Sequence, residues 1–146
     1  MGYTHYWRMD KALKIAPLQK ALIQEVLDDN KSILKGWDGV GAVEFNAKQL
    51  AFNGDATKGE DHESFVVDFG KKKDDFCKTA RKPYDLAVCK ILLVLSLSEG
   101  FNFHSDGACD GKLEDGEWPK AVLWFIRKGY TSTLEKKVVP YLNREN

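Results

Sequence analysis

Three cations crowd into "FCKTARKPYD", residues 76–85: Lys78, Arg81 and Lys82. Pro83 suits the first turn of a helix, where proline loses no intrahelical bond. The apolar run "PYDLAVCKILLVLSLS" that it opens, residues 83–98, is long enough to be that helix. A helix N-terminus carries partial positive charge and free N–H donors, so cations there are unfavourable unless something negative offsets them. Thr79 adds a hydroxyl, and Arg81 has the geometry to grip a phosphate or carboxylate with two bonds. Together these are the parts of an anion site. The same residues also read without a ligand. Asp85 follows Arg81 by one helical turn, the spacing of an ion pair, and the cations suit a solvated turn.

Other stretches carry reactive side chains in weaker patterns. In "YTHYW", strand alternation puts Tyr3, His5 and Trp7 on one face. Such a face can stack on a ring and offers a titratable imidazole. It equally suits an aromatic core, the better reading for Trp7 and an open one for His5 and Tyr3. "FHSDG", residues 103–107, ends a strand in polar groups. Ser105 and Asp106 there suit a ligand hydroxyl or amine, or an ordinary turn before Gly107.

The acidic loop "DGACDGKLEDGE" places Asp106, Asp110, Gly111, Glu114 and Glu117 at positions 1, 5, 6, 9 and 12 of a calcium loop. Ala108 takes away the ligand at position 3, and a strand precedes the loop where an EF-hand needs a helix. A solvated loop is the simpler reading. His5, His62 and His104 lack zinc-type spacing. Cys77 beside Lys78 has no histidine paired with it in sequence. No phosphate loop or dinucleotide fingerprint occurs. Neither a metal nor a cofactor is expected.

The elements that must position these residues follow from periodicity. "GYTHYWRM" is a strand with aromatics on both faces, which suits an inner strand. Leu18, Leu22, Val26 and Ile33 make a helical stripe from about Leu18 to Leu34, stopped by Gly36. "KQLAFN" and "ESFVVDF" read as a hairpin, and "GKKKDD" as a polar connector. Residues 83–98 are apolar on nearly all sides, hence a buried helix. "FNFH" is a strand and "WPKAVLWFIRKGY" a helix. The tail after Tyr130 has no clear pattern. The order β-α-β-β-α-β-α predicts a single α+β domain over residues 1–146, a sandwich with ferredoxin-like βαββαβ order plus a C-terminal helix.

Composition bounds the partners. The chain has 146 residues, 43% hydrophobic and 30% charged, enough for one well-solvated domain with a real core. Lys+Arg and Asp+Glu balance at 22 each, which argues against non-specific binding of nucleic acid. No apolar run spans a bilayer, so no membrane partner is expected. Three cysteines without a CxxC pair read as reduced thiols of a cytoplasmic protein. Oligomeric state is not legible.

"MGYTHYW", "FNG" (52–54), "DHESF" (61–65), "FCKTARKPYD" and "SDG" (105–107) together resemble a family of small uncharacterised proteins of bacteriophages and scattered microbial genomes. The resemblance runs to about Trp124. It implies that these motifs act as a set and that the chain is phage-encoded, and it brings no activity. The loop after "SDG" is longer than the family's, and His104 stands where a serine often does. The functional expectation is a cytoplasmic protein that binds a phosphate-bearing, nucleotide-like small molecule at the basic helix N-terminus. His5, Tyr3, Lys78, Thr79, Arg81, Lys82, Ser105 and Asp106 would surround it. The alternatives are an enzyme on the same ligand class, with His5 as acid and base and Arg81 stabilising charge, or a structural or host-interaction protein without a small-molecule ligand.

Overall fold

The computed structural model describes residues 3–109 and 112–130. Twelve elements follow in chain order: strand β1 (Thr4–Met9), helix α1 (Pro17–Asp29), strands β2 (Glu44–Phe45) and β3 (Gln49–Phe52), a 3-10 turn (Ala56–Lys58), strands β4 (Phe65–Asp68) and β5 (Lys73–Lys78), helix α2 (Asp85–Leu95), strands β6 (Phe101–Ser105), β7 (Ala108–Cys109) and β8 (Lys112–Leu113), and helix α3 (Trp118–Arg127). The fold class is α+β. The strands form two antiparallel three-stranded sheets, β5-β1-β6 and β2-β3-β4, and the small β7-β8 hairpin.

This corrects the ferredoxin-like order, which would unite the main strands in one sheet. The reason is β5. Residues 70–75 are expected as a polar connector and 76–78 as the lead into the helix, yet Lys73–Lys78 pair with β1 along its whole length, from Thr4↔Lys78 to Met9↔Lys73. One extra chain reversal makes both neighbours of β1 antiparallel and leaves β2, β3 and β4 as a separate sheet. As an inner strand β1 is as expected.

Helix α2 is the centre of the core. Nine of its residues are buried, with Ile91 to Leu95 all inaccessible. It packs between α1 and α3. Gln19 pins α1 to its far end through bonds to the Val94 carbonyl at 3.1 Å and Ser98 Oγ at 2.8 Å. The two sheets meet where Trp7 packs edge-on against Phe65, 5.1 Å between centroids. Helix α1 stops at Asp29, short of the expected Leu34, because the Asn30 side chain bonds back to the Val26 carbonyl at 2.8 Å. Cys77 and Cys89 are free and buried; the side chain of Cys109 and the segment after Tyr130 lie outside the described residues. No described helix is long and apolar enough to cross a membrane.

Candidate functional site

Beneath the inner face of β5-β1-β6 lies a closed polar cluster. His5 Nε2 is 2.6 Å from Asp85 Oδ1, and His5 Nδ1 is 2.7 Å from Ser105 Oγ. Thr79 donates its hydroxyl to Asp85 Oδ1 at 2.5 Å. Ser105 Oγ accepts from the Gly107 N–H and from Trp118 Nε1, both at 2.9 Å. Those two donors fill the lone pairs of Ser105, so its own proton points at His5 Nδ1. The imidazole proton therefore sits on Nε2 and is given to Asp85. His5 and Thr79 are fully buried and Asp85 is 1% exposed.

This is the proton order of a serine–histidine–aspartate relay, without its accessibility. Ser105 has both lone pairs occupied and no open side. Cys89 completes a convergence of histidine, aspartate and cysteine ligand atoms within 4.8 Å, donors of the kind zinc accepts. The hydrogen bonds fit a cation poorly. Nε2 carries a proton toward Asp85, and burial, followed by the neighbouring Asp85, pushes the Cys89 thiol well above its usual range. Every buried side-chain polar atom among the described residues already has a partner.

Tyr3 closes the cluster from above. Its ring meets His5 edge-on at 5.3 Å, and the Arg81 guanidinium lies over its other face, 4.0 Å from the centroid. Arg81 also pairs with Asp115 at 2.7 Å. The pairing raises the guanidinium pKa and lowers that of the Asp115 carboxyl. Ala80 and Arg81 both hold left-handed backbone, φ 51° and 61°, which costs a non-glycine residue free energy and is tolerated where surroundings dictate it. Here the Tyr3 carbonyl accepts from both Thr79 N and Ala80 N. A side chain on Gly107 would collide with the Tyr3 hydroxyl and the Trp118 indole, so only glycine fits that contact.

The cations of the opening stretch thus diverge rather than converge. Arg81 goes to Asp115. Lys82 Nζ bonds the Gly59 carbonyl at 3.1 Å. Lys78 lies on the opposite, outer face of the sheet. The helix begins at Asp85 rather than Pro83, and its positive end is met from within by the Asp85 carboxylate. Of the expected ligand shell, His5, Tyr3, Thr79 and Ser105 come together, but as a sealed cluster and not as a surface pocket. Asp106 is exposed and accepts from Thr4 N at 3.0 Å. The turn at Gly107 is made by Ser105.

The accessible chemistry lies on the outer face of the same sheet. Alternation sends Tyr6 and Arg8 outward from β1, Phe76 and Asp74 from β5, and His104 and Asn102 from β6. Register aligns Phe76, Tyr6 and His104 in one row and Asp74, Arg8 and Asn102 in the next. Tyr6 and His104 stack at 4.5 Å, and Tyr6 and Phe76 stand 6.4 Å apart at 40°. Phe76 is 57% exposed. These residues line a concavity of about 470 Å³. On the other side of the row, Lys78 faces Thr4 and makes no ion pair among the described residues. Arg8 is held by Asp10 at 3.2 Å and Asp74 at 3.7 Å.

The sequence reading missed Tyr6, Phe76 and His104, although the aromatics on both faces of "GYTHYWRM" were the signal for Tyr6. No protein-family model matches the chain, and no curated protein or solved structure is detectably similar to it.

Proposed function

We propose that this is a cytoplasmic binding protein for a phosphate-bearing, nucleotide-like small molecule, captured on the outer face of β5-β1-β6 instead of at the helix N-terminus. The observation that carries the reading is the exposed aromatic row Phe76–Tyr6–His104. The Tyr6 and Phe76 rings stand 6.4 Å apart at 40°, and the exposed Phe76 ring offers a face on which a base can stack. Such stacking is sequence-tolerant and contributes about 1–3 kcal/mol per base. Lys78, one two-residue step or roughly 7 Å along the sheet, supplies the charge for a phosphate. The balanced net charge favours a small ligand over a nucleic acid strand. The resemblance to phage and microbial proteins supports a setting in which a phage-encoded protein sequesters a host nucleotide.

The test is calorimetric titration with adenosine 5′-monophosphate, adenosine and inorganic phosphate. Expected is the tightest binding for the monophosphate. Phe76→Ala should weaken it by about 1–3 kcal/mol and Lys78→Gln by about 1.5–3 kcal/mol, with Arg81→Ala leaving it unchanged. Loss in Arg81→Ala alone would return the site to the helix. Recovery of altered nucleotide from the denatured complex would make the protein an enzyme.

A further inference from the structure

We infer a second ligand site, for an amphiphilic organic anion, in the groove between the chain entering α1, the first half of α1 and the β2–β3 turn. The groove encloses about 620 Å³, within the range of small-molecule sites. Leu13, Ile15 and Phe45 give it an apolar floor. Lys14 and Lys20 stand at its edge, and no carboxylate lines it. Neither lysine makes an ion pair among the described residues.

The start of α1 adds no negative charge: Pro17 opens the helix and its first turn holds no acidic residue. A neutral apolar molecule would fill the floor and leave two ammonium groups unused. An inorganic anion would leave the floor wet. A molecule with an apolar body and one carboxylate, such as a short free fatty acid or an aryl carboxylate, meets both. The groove shares no lining residue with the aromatic sheet face, so this inference does not depend on the nucleotide reading.

The probe is decanoate, kept below micelle-forming concentrations and titrated into the full chain, with amide chemical shifts followed by NMR. Saturable shifts should cluster at residues 13–21 and 45–47. Decanol should bind at least about tenfold more weakly, a loss equivalent to about 1.4 kcal/mol. The double variant Lys14→Gln/Lys20→Gln should show a loss of similar size. Ala21 is exposed on the groove wall, so Ala21→Phe should fill the groove and abolish the shifts with the rest of the amide spectrum in place. Absent saturation, equal affinity for decanol, or shifts that survive Ala21→Phe would each overturn the site.

Discussion

Ser105 holds three partners with one oxygen, and truncating it strands all three. Ser105→Ala leaves the Trp118 and Gly107 donors and His5 Nδ1 unsatisfied in the interior, so it should cost at least about 1–3 kcal/mol, the penalty for a single buried orphan. Asp106→Ala, next to it but exposed, should cost about 1 kcal/mol or less for the lost bond to Thr4 N. Urea unfolding of both variants checks this, and equal costs would show that the cluster contributes nothing special. At this scale the sequence was legible in residue type and not in geometry. His5, Thr79, Ser105 and Tyr3 were picked out as chemistry-bearing, and they do meet. That they meet as a closed unit depends on Trp118 and on contacts across 80 and 100 residues, which no local spacing encodes. The three cations looked like a site because a lone stretch cannot show Asp115 and the Gly59 carbonyl waiting for two of them.

Helix α2 was readable because its apolarity is continuous. Leu93 is inaccessible to solvent, and Leu93→Ala should cost about 2–5 kcal/mol, measured as a lower urea midpoint with an unchanged slope. A cost under about 1 kcal/mol would mean that the helix is not packed as described. Strand β5 was unreadable for the opposite reason. It is an edge strand with a wet outer face, and of Lys73–Lys78 only Cys77 is buried. Charged residues on an edge strand deter pairing with other chains, and the same charges hide the strand's period. Missing that one element was enough to turn two sheets into an expected single one, while the α+β class and the main helices survived.

Across the molecule, buried acids that stay protonated set the alkaline limit. Burial is the first cause that pushes the Cys77 and Cys89 thiols upward, and the Tyr3 and Tyr84 hydroxyls likewise. In the unfolded chain thiols titrate near about 8.5 and tyrosines near about 10. Above those values the unfolded state binds fewer protons than the folded one, so stability falls as pH rises. The contribution is fully present below about pH 8. The urea midpoint should therefore drop between pH 7.5 and pH 10, and Cys89→Ala should make the drop shallower; a flat profile would contradict the burial of these groups. The placement of β1 has a consequence for biosynthesis. It is the middle strand of its sheet, yet His5 meets Ser105 only 100 residues later. At ribosomal rates of about 5–20 residues per second, that gap lasts about 5–20 s. Through that interval the nascent chain carries Trp7 and Met9 without their β6 neighbours Phe103 and Phe101, so the vulnerable period of this protein falls during translation, and a chaperone that holds strand β1 until β6 emerges should raise its yield.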